Sequence, residues 1–151
     1  MRGGMPAADG NRALAQKNPW ESVSLADYEA HMALSQVGQL QALAELTKRQ
    51  LEAHPVQTVC ILGVAGGNGL AHIGPGIRRV YGVDVCQAYL DQCAARYAAL
   101  GERLVLQRAD LTDPRVFLPD AELFIANLLV EYIGIPTFAG HIARRRPRYL
   151  S

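Results

Sequence analysis

Three cysteines, Cys60, Cys86 and Cys93, are all that the 151-residue chain contains. The number is odd and no two form a C-x-x-C, so neither a disulfide framework nor a zinc site is expected. They read as small buried hydrophobes of a reducing compartment, and the expected location is the cytoplasm. No apolar run approaches the roughly 18–20 residues of a membrane span. The start, Met1 to Gly10, lacks the apolar stretch of a secretion signal. Charge of one sign is also missing: 15 basic and 14 acidic residues leave a net +1, which argues against a globally basic nucleic-acid binder. No lysine follows Lys48, which excludes a phosphate loop of the G-x-x-x-x-G-K-[ST] kind. Only 19% of residues are charged and 50% are hydrophobic, which excludes global disorder.

What is present falls into three parts. Residues 1–18 read as a flexible tail, broken by Gly3, Gly4, Pro6, Gly10 and Asn18-Pro19. Residues 19–56 read as a helical segment. Trp20 is its first large apolar anchor. Ser24-Leu25-Ala26-Asp27 fits a helix-capping pattern, opening a helix over 25–36 with Tyr28, Met32 and Leu34 available for packing. A second helix over 37–53 carries Val37, Leu40, Leu43, Leu46 and Leu51 at amphipathic spacing, with Gly38 weakening the join and His54-Pro55 ending it.

From residue 57 onward the period changes. Thr58–Leu62 is a short apolar run, as a strand buried on both faces requires. Further strands are expected over 79–84, 103–107 and 121–126. Between them lie a short helical piece at 68–74, a helix at 86–100 stopped by Gly101, a connector at 110–118, and a last helix at 128–144 interrupted near Gly134 and Pro136. Strands alternating with helices imply right-handed βαβ crossovers and a mostly parallel sheet, an α/β Rossmann-like fold.

Parallel sheets of this kind bind ligands beyond the C-terminal ends of their strands. Three features fall there in order. The loop Gly63-Val64-Ala65-Gly66-Gly67-Asn68-Gly69 follows the first strand, and its glycines let a ligand approach the backbone. A helix N-terminus after it would offer N–H groups. Asp84 ends the second strand, where an acid can accept both hydroxyls of a ribose. Asp110 follows the third, where a carboxylate can accept from an adenine amine and the Leu111 N–H can donate to a ring nitrogen; it can equally cap the turn that begins at Leu111. The set points to a nucleoside-type cofactor. The dinucleotide fingerprint fails, because Gly67-Asn68-Gly69-Leu70-Ala71-His72 has His72 in place of the third glycine.

These residues resemble the class I S-adenosylmethionine-dependent methyltransferases. The resemblance rests on Val59–Gly69, Val80–Val85, Ala109-Asp110-Leu111 and Phe124–Leu129, and Trp20–Leu51 resembles the leader helices of an uncharacterised bacterial branch. It implies S-adenosyl-L-methionine as cofactor, with Gly63, Ala65 and Gly67 along its methionine part, Asp84 on the ribose, Val85 against adenine, Asp110 and Leu111 at the adenine edge, and Asn127 near methionine and acceptor. The sequence departs from the family pattern at Ile61, where an acid is common, and at Ala65, where the middle glycine stands. Asn127 is followed by Leu-Leu rather than Pro-Pro-Tyr or Pro-Pro-Phe, which argues against methylation of base or glutamine amino groups.

Methyl transfer needs a base only if the acceptor must lose a proton. Glu131 and His31 are the candidates, against readings as solvated or packed residues. Trp20, Tyr28 and Met32 are candidates for a lid, against plain helix packing. Arg144-Arg145-Arg146-Pro147-Arg148 reads as charge suited to a helix C-terminus rather than a phosphate site. No metal is expected.

The resemblance also implies a seven-stranded sheet, of which four strands are counted here, in the order 3-2-1-4. The chain therefore reads as C-terminally truncated, with residues 57–151 a partial methyltransferase core. Strand 4 would lie at an edge, and its apolar Leu123–Ala126 would invite pairing with another chain. The expected function is methyl transfer to an unknown, small-molecule acceptor. The alternatives are a cofactor-binding domain without turnover that acts through a partner, and an NAD-dependent reductase.

Overall fold

The computed structural model describes residues 18–151, so the tail expected over 1–18 lies almost wholly outside the described residues. The first helices are α1, Leu25–Ala33, and α2, Gln39–Glu52. Ser24 caps α1: its Oγ accepts from the Asp27 N–H at 3.1 Å and donates to the Asp27 carboxylate at 2.7 Å. Gly38 separates the helices in a left-handed conformation, φ 58°, so they are two and not one. On α2 the inward face is Leu43, Thr47, Gln50 and Leu51; Leu46, expected to pack, is 42% exposed.

The sheet follows. Strands β1 Thr58–Leu62, β2 Arg79–Asp84, β3 Leu104–Arg108, β4 Leu123–Ile125 and β5 Tyr149–Leu150 lie in the order β3-β2-β1-β4-β5, all parallel. The period of two sorts their side chains onto two cores. Val59, Ile61, Val80, Leu123 and Ile125 face a layer with Leu51 of α2 and with Leu90 and Cys93 of α3, Gln87–Arg96. Cys60, Leu62, Val83 and Phe124 face the other way, toward Leu111, Leu118 and the inner side of α5, Ile135–Arg145. A third cluster, Leu25, Cys86 and Tyr89 with Tyr28 and Ala65, fastens α1 to the start of α3 and to the glycine loop.

Two expectations are corrected. The sheet has a fifth strand: Tyr149 pairs with Leu123 and Leu150 with Phe124. β4 is therefore not the edge, and the pairing expected there with another chain is made by the chain's own last residues. The loop after β1 leads into a three-residue 3-10 turn, Leu70–His72, not a helix, so the expected helix N-terminus is not there. Gly134 breaks the last helix into α4, Val130–Ile133, and α5. No described helix is long and apolar enough to cross a membrane.

Candidate functional site

From β1 the chain moves outward to β2 and β3, then crosses back to β4 on the other side of β1. The strand order reverses between β1 and β4, and a crevice opens beyond their C-terminal ends. A cleft of about 750 Å³ lies there, within the usual range for small-molecule sites. Gly63, Ala65, Asp84, Val85, Asp110, Leu111 and Asn127 all line it, as do Glu131, His31, Trp20, Tyr28 and Met32.

Asp84 is the hinge of the site. Its Oδ2 accepts from the Ala65 N–H at 2.9 Å and its Oδ1 from the Cys86 N–H at 3.0 Å. The carboxylate thereby fixes the glycine loop against the end of β2. Desolvation pushes its pKa above the ordinary value, and the N–H groups of Cys86, Ala65 and Val85 pull against that rise. Each oxygen retains lone-pair capacity for a further donor from the cleft.

Gly63 has φ 74°, and a Cβ there would reach the cleft wall at Leu129, 3.4 Å away. Gly67 is different. It does not line the cleft; a Cβ there would sit 2.6 Å from the Tyr97 ring and 2.8 Å from Cys93 Sγ. The loop packs closely there on Cys93 of α3 and on Tyr97. Ala65 holds φ 46°, a left-handed conformation that L side chains adopt at a cost of roughly 1–2 kcal/mol. Leu128, also lining the cleft, is at φ 54°.

Asp110 serves the local turn with one oxygen: Oδ1 accepts from the Thr112 N–H at 3.0 Å and from its hydroxyl at 2.6 Å. The capping reading is thus realised, with Oδ2 left to face other donors. Leu111 is buried, and its carbonyl meets His141 Nε2 at 2.9 Å.

The N-terminal elements close the site from the other side. Arg96 forms a two-pronged pair with Glu29, at 2.7 and 3.0 Å, and also donates to the Gly66 carbonyl at 3.1 Å. Asn68 donates to the Leu40 carbonyl at 2.8 Å. The Tyr89 hydroxyl donates to the Val23 carbonyl at 2.9 Å.

Gln50 was not expected from the sequence. Its amide and that of Asn127 exchange two hydrogen bonds, at 2.9 and 3.0 Å. A polar residue on the inward face of an amphipathic helix was the available signal. Tyr132 was missed as well; it meets Trp20 edge-on at 5.3 Å. The arginine cluster is locally engaged: Arg144 with His141, Arg145 with Asp120, and Arg148 over the Tyr149 ring. No group of three or more metal-ligating side chains occurs among the described residues.

No family model matches the sequence, and no curated protein matches it. Solved structures match by fold. The methyltransferase domain of bacterial CtHen1 aligns with a TM-score of 0.60 at 16% identity, over 75% of this chain and 64% of that one. An S-adenosylmethionine-dependent methyltransferase from Clostridium acetobutylicum gives 0.59 at 14%, over 85% and 54%. Phosphoethanolamine N-methyltransferase 1 of Haemonchus contortus, solved with phosphoethanolamine and S-adenosylhomocysteine, gives 0.57 at 16%, over 80% and 28%. The chain spans less than two thirds of each. The fold is that of the class I S-adenosylmethionine-dependent methyltransferases.

Proposed function

We propose that the cleft binds S-adenosylmethionine and that the chain transfers its methyl group to a small acceptor. The observation that carries this reading is Asp84. It stands at the end of β2, bonded to the Ala65 N–H of the glycine loop, with Asp110 at the next strand end and all three in one cleft of suitable size.

The residues suit the cofactor part by part. Asp84 would accept the ribose hydroxyls. Val85 would lie against the adenine ring, while Asp110 Oδ2 would accept its amine and the Leu111 N–H would donate to a ring nitrogen. Gly63 and Ala65 would leave room for the methionine portion, and Asn127, held by Gln50, would face it. The bound sulfonium supplies an activated methyl group, so the protein's work is orientation and exclusion of water. Glu131 and His31 line the same cleft, and either would accept a proton from an acceptor that must lose one.

Calorimetric titration with S-adenosylmethionine, S-adenosylhomocysteine and NAD tests the reading. The first two should bind, NAD should not, and Asp84→Ala should lose the binding. Absence of binding by the folded wild-type chain would overturn it. Binding without turnover on any acceptor would favour the alternative of a cofactor-binding domain that acts through a partner.

A further inference from the structure

The mouth of the cleft carries chemistry that the cofactor does not use. Trp20 stands edge-on to two tyrosines, with its ring 6.0 Å and 86° from Tyr28 and 5.3 Å and 82° from Tyr132. The three rings touch one another edge to face through Trp20, and all three line the cleft. Tyr89 stacks behind Tyr28 at 6.1 Å and 29°, which backs one wall. None of the three rings comes from the strand ends that carry Asp84, Asp110 and Asn127. They come from the Pro19–Ser22 turn, α1 and α4.

The formal charge lining the cleft beside these rings has one sign. Among the described residues lining the cleft, the acids are Asp27, Glu29, Asp84, Asp110 and Glu131, and neither Lys nor Arg is present. Glu29 is already paired with Arg96, whereas Asp27, which accepts from the Ser24 hydroxyl, and Glu131 are exposed and line the same cleft as Tyr28 and Tyr132. Aromatic faces attract cations, most strongly where water is thinned, and a cleft lined by acids concentrates them. Carboxylate and phosphate acceptors would meet repulsion from the same groups. Burial, then the neighbouring Tyr132, Asp84 and Glu29, raises the Tyr28 phenol above its ordinary pKa, so this wall stays a neutral ring.

Resting on the reading of the cleft as an S-adenosylmethionine site, we propose that the methyl acceptor is a small cationic amine, received against the cleft-lining rings of Trp20, Tyr28 and Tyr132 with Asp27 and Glu131 as counter-charge. The bound ammonium gives up one proton, by way of the Glu131 carboxylate, to water. The freed nitrogen lone pair attacks the methyl carbon, and the carbon–sulfur bond breaks with its electrons going to sulfur. The products are S-adenosylhomocysteine, the N-methylated ammonium and one released proton.

The test uses the full chain saturated with S-adenosylhomocysteine, titrated with choline and with 3,3-dimethyl-1-butanol, which share a shape and differ in charge. Choline should bind about tenfold or more tightly than the neutral isostere, the scale of one desolvated cation–π contact. The preference should fall several-fold in Tyr132→Leu and in Trp20→Leu. The wild-type comparison stands even where a variant fails to fold. Equal binding of the two probes, binding of neither, or an unchanged preference in a folded variant would overturn the proposal while leaving the cofactor reading intact. Failure of S-adenosylhomocysteine itself to bind would overturn both. Labelled methyl transfer to phenols or carboxylates but to no amine would also overturn the amine assignment.

Discussion

Gln50 and Asn127 hold each other by both ends of their amides, across 77 residues of sequence. Gln50 is only 7% exposed and Asn127 is half-buried at the cleft, so the pair joins α2 to the end of β4. Removing one partner leaves the other with unsatisfied donor and acceptor groups, at a cost of about 1–3 kcal/mol. Asn127→Leu, which strands the buried Gln50, should destabilise by that amount, and Gln50→Leu by less, since Asn127 lines the cleft and can turn to water. The double variant should lose less than the sum, by a coupling of roughly 0.5–3 kcal/mol in denaturant unfolding. Additive losses would show that the two amides do not depend on each other. Gln50→Leu should also weaken S-adenosylhomocysteine binding, because Asn127 loses its orientation.

Asp84 predicts a pH dependence whose sign differs between folding and binding. Its folded pKa is raised above 3.8, first by desolvation. The folded state therefore holds that proton more tightly than the unfolded state. Asp84's contribution to stability is greatest below the ordinary value and declines as pH rises through the raised one. Ligand binding runs the other way, since ribose hydroxyls need the carboxylate as acceptor. Affinity for S-adenosylhomocysteine should be full above the raised pKa and fall as pH drops through it. Asp84→Asn turns an amide toward the Ala65 or Cys86 N–H, setting donor against donor, and should lose affinity at every pH. A wild-type affinity that stays flat down to the ordinary carboxylate range would count against Asp84 as the ribose acceptor.

Gly63 and Gly67 separate loop geometry from ligand space. Gly67→Ala forces a Cβ against Tyr97, Cys93 and Leu70 at φ 88°. Overpacking and left-handed strain together should cost about 3 kcal/mol, or roughly 10 °C in Tm. Gly63→Ala meets only Leu129, so its stability loss should be the smaller, while its new methyl group narrows the cleft. Calorimetry on both variants should show the larger stability loss in Gly67→Ala and the larger affinity loss, per unit of stability lost, in Gly63→Ala.

The contrast between these glycines also shows where sequence reading stops. Both follow a strand in a motif, and the family resemblance implies a ligand contact for both; only the packing of Tyr97 and Cys93 under the loop sets Gly67 apart. Strands β1 and β2 were legible to the residue because alternation over two buried faces leaves few other ways to place Val59, Cys60, Ile61 and Leu62. β5 was not: two residues, Tyr149 and Leu150, carry no period, and only the open side of β4 selects them. Leu46 and Gln50 mark the same limit on α2. Leucine is the commoner inward residue, yet Leu46 is exposed and Gln50 is buried, where its amide meets Asn127. Asp84, Asp110 and Asn127 stand together in the cleft because the strand ends fix their places, whereas the contacts of α1 and α2 depend on where those helices land.

The cysteines predict an inert native protein. All three thiols are free and buried, and desolvation pushes Cys60 up to about 12 and Cys93 up to about 11. The thiolate is the reactive form, so neither should react at pH 8 without unfolding. A coloured disulfide reagent should label essentially no thiol within minutes in buffer and all three in denaturant. Rapid labelling of one thiol in buffer would mean that the cluster of Leu25, Cys86 and Tyr89 opens readily, since Cys86 lies in it.

His141 ties the last helix to the edge of the cleft. It is 1% exposed, with Nε2 2.9 Å from the Leu111 carbonyl and Nδ1 2.8 Å from Arg144 Nη2. A guanidinium only donates, so Nδ1 accepts, and Nε2 carries the hydrogen given to Leu111. This bond orients the backbone whose N–H is proposed to meet adenine. His141→Leu should lose about 1–3 kcal/mol, since the Leu111 carbonyl is left without its donor. His141→Gln, with an amide able to donate to Leu111, should restore part of that loss. The reading that separates positioning from mere packing is base discrimination. Wild type should prefer S-adenosylhomocysteine to its inosine analogue, His141→Leu should narrow that preference, and His141→Gln should recover it. A preference unchanged in a folded His141→Leu would confine His141 to the stability of α5.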